Sequence, residues 1–229
     1  MSAPIDIPDE LPAALALFPL PGVLLLPGME LPLNIFEPRY LDMVRDAMAG
    51  ARMIGMVQPR DPQDSLDHPE VYDIGCAGVI TAFKETDDGR FLITLTGLCR
   101  FGIVQELETM TKYRQVNPDW QRFEADRFAD PEALDNRTDF QDILATYFKA
   151  HAIDVDWKSI NAAGDQELVN FLAMICPFAP AERQALLECS DLLGRARTMA
   201  TLMAMAVQAH NVGLDDDEDG LDDEPPQPN

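Results

Sequence analysis

The chain has 229 residues, enough to bury a sizeable core, and its 40 acidic against 17 basic side chains give a net charge of −23. The eight acids after Leu214 leave 32 against 17 in the remainder, a balance of −15, and no cluster of Lys and Arg interrupts it. Counterion release from nucleic acid needs such a cluster, so nucleic acid and anionic membrane are excluded as expected partners, and the charge reads first as a solubility device.

The first ten residues, MSAPIDIPDE, carry acids and prolines in place of a basic and then apolar signal, and no uncharged apolar run is long enough to span a bilayer. A cytoplasmic protein is expected. Leu15 to Phe18 is a short apolar run closed by Pro19. Gly22, Pro27 and Gly28 then break the next apolar residues, which predicts strand, irregular loop, strand. Leu31, Leu33 and Ile35 alternate with Pro32, Asn34 and Phe36, the period of a strand with one buried face, and Pro32 assigns it to an edge or a strand start. After Glu37 the period changes. Pro38 suits a first helical position, and Tyr40, Leu41, Val44, Ala47 and Met48 follow at helical spacing up to Gly50.

Met53 to Val57 predicts a buried strand, and residues 60–70, rich in Asp and Pro, a surface loop. Val79 to Phe83 and Phe91 to Leu95 flank Asp88-Gly89, the signature of a tight hairpin, because Gly tolerates the positive φ such turns need. Gly75 and Gly78 around Cys76 predict a bulge or a close backbone approach; a phosphate loop is rejected because no Gly-Lys-Ser/Thr and no helix start follow. Gly97 predicts a bend, Leu98 to Val104 continue the strand set, and Tyr113, Gln115 and Val116 add one more.

Several of these pieces together resemble the N-terminal, substrate-binding domain of Lon proteases, which also occurs as stand-alone bacterial proteins. They are Leu17-Phe18-Pro19-Leu20, Pro27-Gly28-Met29 with Leu31-Pro32-Leu33, and Ile35-Phe36-Glu37-Pro38-Arg39-Tyr40, followed by the Gly75–Gly78 strand, the hairpin, and the strand with Gly97, Arg100 and Phe101. The motifs cover roughly residues 11–125. The resemblance implies a PUA-like β pseudo-barrel and a non-catalytic module that binds polypeptide. Intact Lon proteases add an ATPase module and a Ser-Lys peptidase domain, and no Walker sequence or room for those domains exists in this chain.

From Asp130-Pro131, an expected N-cap and first-turn pair, the pattern turns helical. Thr138 and Gln141 have capping-box spacing ahead of the stripe Phe140, Ile143, Leu144, Tyr147, Phe148. Asp165 is the expected cap of a second helix with Leu168, Val169, Leu172 and Ile175; Pro180 opens a third with Leu186 and Leu187. Ser190 or Asp191 caps the longest, which carries Leu192, Ala196, Met199, Met203, Ala206 and Val207 and ends near Gly213. Four stripes without strands predict a helical bundle on the β lobe. The acidic, Pro-rich tail is expected to be disordered.

Chemistry is sparse. No serine lies in a Gly-x-Ser-x-Gly elbow, and neighbouring Lys158 and Ser159 on a helix point apart, so neither offers an activated nucleophile. Cys76, Cys99, Cys176 and Cys189 are widely spaced and read as reduced thiols; the three histidines are dispersed, so no metal and no cofactor is expected. Asp215, Asp217, Asp219, Gly220 and Asp223 match part of a calcium loop, but Pro226 stands where its bidentate Glu belongs. Met199 and Met203 share the apolar face and read as core; Met205 stays open as core or an adaptable surface.

The expectation is an α+β chain: a mainly antiparallel pseudo-barrel lobe over 1–128, a helical lobe over 129–214, and the tail 215–229. The resemblance implies that it holds unfolded or extended polypeptide, with delivery to a protease or a chaperone as the expected use. A groove between the lobes, drawn from Leu24, Met29, Phe36, Glu37, Arg39 and Tyr40, is the expected contact surface, with strand addition at an exposed edge as its mode. For Glu37 and Arg39 the alternative is a local ion pair and an acid on the helix dipole. Rival readings are a small-molecule receptor or enzyme using the same cleft, and a structural subunit of one specific complex.

Overall fold

The computed structural model describes residues 11–61, 63, 68–128 and 132–218, the last eight of these by backbone alone. Six strands form one sheet: β1 Leu15–Pro19, β2 Glu30–Ile35, β3 Met53–Val57, β4 Ile74–Glu85, β5 Phe91–Glu106 and β6 Arg114–Asp119. Their order is β2-β5-β4-β3-β1-β6, and a further β5–β6 pairing closes five of them into a ring from which β2 projects as an edge strand. Among the described residues only β1 and β3 pair in parallel; the other strand pairings are antiparallel. The expected pseudo-barrel is present. Each ring strand places side chains into one interior cluster that includes Leu17, Val57, Val79, Phe101 and Val116. Because the outer face of β3 is buried as well, all five of its residues are buried, which explains an apolar run in place of alternation.

The β4–β5 hairpin turns at residues 86–90, where the Gly89 N–H donates to the Thr86 carbonyl (2.9 Å) and Gly89 takes φ +79°. At Gly97 the structure shows a close approach more than a bend. A Cβ there would lie 2.1 Å from the Leu26 carbonyl oxygen, because the loop after β1 crosses β5 at this point. Gly97 N–H and C=O bond Met29 O and Gly28 N–H (2.8 and 2.9 Å), and the adjacent register shift between Ala77 and Gly78 accommodates the crossing.

Helix α1, Pro38–Ala49, begins at Pro38 as expected and buries Tyr40, Met43 and Val44. Beyond β6 come a 3-10 segment, Gln121–Arg127, and α2 Arg137–Ala150, α3 Trp157–Ala162, α4 Asp165–Ile175, α5 Pro180–Glu188 and α6 Leu192–Glu218. Among the described residues the helical half therefore holds five helices where four were expected. The short α3 was overlooked because its six residues bury no side chain and leave no apolar stripe. Caps also differ. Asn136 caps α2 by accepting from Asp139 N–H, so Thr138 lies inside the helix, and Gly164, not Asp165, precedes α4. Asp191 does cap α6, accepting from Gly194 N–H (2.6 Å). That helix runs past Gly213 to Glu218, so Asp215 and Asp217 are helical and do not start a calcium loop; the remaining tail and Asp130-Pro131 lie outside the described residues.

Met199 and Met203 are fully buried, as core, whereas Met205 and Ile175 face outward. One apolar cluster runs continuously from Phe18, Ile54 and Cys76 on the outside of the barrel to Leu144, Val169 and Met199 in the helices. A polar joint fastens the same interface. Arg100 on β5 makes a bidentate pair with Asp126 (2.7 and 2.8 Å) and donates to the carbonyls of Leu187 (3.0 Å) and Cys189 at the end of α5. Burial works against the Arg100 charge, but the Asp126 carboxylate outweighs it and the guanidinium pKa is raised. All four cysteines are free thiols, and burial pushes Cys99 up to about 12 and Cys176 up to about 11.

Candidate functional site

The end of β2 and the start of α1 form the first candidate. Ile35 turns into the core while Phe36, the next residue, is left 63% exposed. Around it, Pro19, Leu33, Tyr40, Pro59 and Pro69 wall a cleft of about 280 Å³. Four prolines border this cleft, and each removes a backbone donor, so the polar groups at its rim are side chains, chiefly those of Asn34, Glu37 and Arg39. Tyr40 is only 8% exposed. Its ring packs on Phe18 at 4.4 Å, and so it serves the core as well as the cleft. Glu37 makes no side-chain cap for α1; its carboxylate instead receives Arg39 at 3.0–3.1 Å, and the Arg39 guanidinium lies 4.8 Å over the Tyr40 ring. The local ion pair weighed from sequence is thus real, and both partners retain exposure at the mouth of the cleft.

Met29 lies elsewhere. It lines a second cleft of about 710 Å³ between the halves, with Glu30 at the start of β2 on one side and Glu132, Glu167 and Phe171 on the other. Leu24 lines neither cleft, being 3% exposed in the core beside Leu25 and Leu26. The single groove drawn from sequence is therefore two clefts, at opposite ends of β2, and Leu24 supports the loop without facing solvent. Of the residues named beforehand, the structure brings together Phe36, Glu37, Arg39 and Tyr40.

The edge of β2 has its own chemistry. Gly97 N–H bonds Met29 O, which sets the hydrogen-bonded pairs at odd-numbered β2 residues and turns the backbone of Glu30, Pro32 and Asn34 outward. Pro32 has no N–H, so the outward ladder is interrupted at its middle. That weakens the strand-addition mode expected from sequence and leaves the two ends of β2 as the better contact points. Ser159 donates its hydroxyl to Asp156 (2.6 Å), the cap of α3, which also accepts from the Lys158 backbone N–H (3.0 Å).

The profile of the ATP-dependent protease La (LON) substrate-binding domain matches residues 14–205, most of the chain. The chain belongs to this family. The Lon protease of Flavobacterium johnsoniae is 25% identical over 221 residues, which cover 91% of this chain and 26% of that protein. Lon protease 1 of Herpetosiphon aurantiacus is 31% identical over 120 residues, covering 49% of this chain and 14% of its own length. The chain thus spans about a quarter or less of the curated relatives it matches. In fold it is similar to a Lon N-terminal domain protein from Xanthomonas campestris, at 24% identity and TM-score 0.57, covering 83% of this chain and 97% of that one. The N-terminal domain of Mycobacterium avium complex Lon protease gives 15% identity and TM-score 0.54 over 83% and 98%.

Membership of a substrate-binding-domain family supports a substrate-binding role. Sequence reasoning missed Pro59 and Pro69, which reach the first cleft from the two ends of the 60–70 loop; their partner signal, the Pro59–Val71 bridge, is a tertiary pairing. It also missed Glu167 and Phe171. These occupy the outer face of α4, which a helical stripe analysis discards as solvent-facing.

Proposed function

We propose that this chain is a non-catalytic module that holds extended polypeptide segments and presents them to a protease or a chaperone. The observation that carries the reading is Phe36: a large aromatic side chain left mostly in water beside an apolar, proline-rimmed cleft at the end of an edge strand. Burying such a ring against a partner's apolar side chain contributes about 1–2 kcal/mol of association, at the scale of ~25 cal/mol per Å². β2 spans about 17 Å at ~3.3 Å per residue, so a segment of about six residues reaches from one cleft to the other. Its partners are unfolded or extended polypeptides, and its place is the cytoplasm, in keeping with four free thiols.

The test is fluorescence anisotropy of a labelled, permanently unfolded polypeptide titrated with the protein, without ATP or metal. Phe36→Ser and Arg39→Ala are the probes, since Tyr40→Ala would also remove a core ring. Saturable binding that weakens about fivefold or more in Phe36→Ser, with an unchanged melting temperature, is the expected result. Full affinity in both variants would mean that another surface holds the segment.

A further inference from the structure

At the far end of β2, the second cleft combines apolar surface with unanswered negative charge. Met29 and the half-exposed Phe171 form its apolar walls, and four carboxylates, Glu30, Glu132, Asp165 and Glu167, line it. Two are engaged. Asp165 receives Arg137 and the Leu134 N–H (2.8 Å), and Glu132 receives the Leu192 N–H (3.0 Å). Glu30, from the barrel side, and Glu167, from α4, are both exposed and have no hydrogen-bond or ion-pair partner among the described residues. No Lys or Arg is among the residues that line the cleft. The floor is built: buried Asn170 donates to Pro27 O (3.4 Å) and accepts from Arg195 (2.8 Å), tying the two walls together.

We propose that this cleft takes a Lys or Arg side chain of the held polypeptide, a substrate preference that rests on the polypeptide-holding function above. A long cationic side chain fits both halves of the chemistry. Its aliphatic stem packs on Met29 and Phe171, its head group faces Glu30 and Glu167, and the Phe171 ring adds a cation–π surface. A metal ion is a poorer fit, because no group of three or more ligating side chains converges among the described residues. An acidic segment is repelled. The two ends of β2 then differ in kind, the first selecting apolar side chains and the second basic ones.

The experiment uses two labelled, permanently unfolded polypeptides, identical except that every Lys of one is Gln in the other, titrated against the full chain at low and physiological ionic strength. The Lys polypeptide is expected to bind about fivefold tighter at low salt. In the double variant E30Q/E167Q that preference falls to within about twofold while the Gln polypeptide binds as before. E85Q/E108Q removes the same charge from exposed positions outside both clefts and is expected to leave the preference intact. Equal binding of the two polypeptides, a preference that survives E30Q/E167Q, or one erased equally by E85Q/E108Q overturns the proposal, the last by showing that the general field of the protein is responsible. If neither polypeptide binds the unmodified protein, the holding function itself falls; if the Gln polypeptide binds and the Lys one binds no better, only this inference does.

Discussion

Two arginines of this chain sit at junctions of strand and helix, and they do opposite things. Arg100 is buried, with Asp126 and the carbonyls of Leu187 in α5 and Cys189 just after it around its guanidinium, and it ties the barrel to the helices. Arg39 lies at the mouth of the first cleft, paired with its neighbour Glu37 and spread over the Tyr40 ring, with side-chain exposures of 28% and 44% for the pair. A buried guanidinium is fixed by the need to satisfy every donor, whereas one at a cleft mouth keeps contact with solvent and with whatever arrives there. Charge type alone does not separate structural from functional residues; the depth of burial and the source of the partners do.

The sharpest way to break that contrast is to remove one side of the buried pair. Arg100→Leu leaves Asp126, which is nearly as buried, without its counter-charge, and should cost about 3–5 kcal/mol in urea unfolding. The double replacement R100L/D126L should recover much of that loss. A cost below about 1 kcal/mol for the single variant would make the joint no more important than a surface pair. Next in size is Gly97→Ala. Its added methyl meets backbone, not a flexible side chain, so about 2–4 kcal/mol is expected, together with loosening of the loop that carries Met29.

Most of the fold could be read from period and punctuation. The six strands lie where apolar runs and alternation mark them, the hairpin turns at Asp88-Gly89, and Pro38 opens α1, because each of these signals is local. The helical half was less legible. Asn136, two residues ahead of Thr138, takes the cap instead, a choice that spacing alone does not rank, and α3 has no buried stripe to announce it. The site was half legible. Phe36, Glu37, Arg39 and Tyr40 are contiguous, so their convergence needs no tertiary information. Met29 and Leu24 were placed with them by nearness in sequence, but the loop crossing at Gly97 turns Leu24 inward and carries Met29 toward α4. Glu167 and Phe171 join that cleft from about 140 residues away, through a contact no sequence pattern encodes.

A smaller effect comes from pH. The Tyr113 hydroxyl is pushed up to about 12 by burial first and then by its hydrogen bond to Asp46 (2.8 Å). Its native form is neutral, and the unfolded chain ionises near pH 10, so the stabilisation is complete below pH 10 and lost as pH rises toward 12. Tyr113→Phe should therefore flatten the alkaline fall in stability between pH 10 and 12 by about 1 kcal/mol, a figure reduced for the solvent at this edge. Identical alkaline slopes in the two proteins would remove Tyr113 from the account.

The smallest stability effect is expected at Arg39 itself, and it completes the contrast with Arg100. Arg39→Ala deletes a half-exposed ion pair worth about 0–1 kcal/mol and a cation–π contact worth about 0.5–1 kcal/mol, while Glu37, left alone, stays hydrated. Unfolding free energy should fall by about 1 kcal/mol or less, and the effect should shrink in high salt as the pair is screened. Arg39→Lys keeps the charge but loses the planar overlap with Tyr40, so it should fall between the two in polypeptide affinity. A stability loss above about 2 kcal/mol would mean that Arg39 is another structural joint, and any affinity lost with it would report a damaged cleft wall in place of a contact.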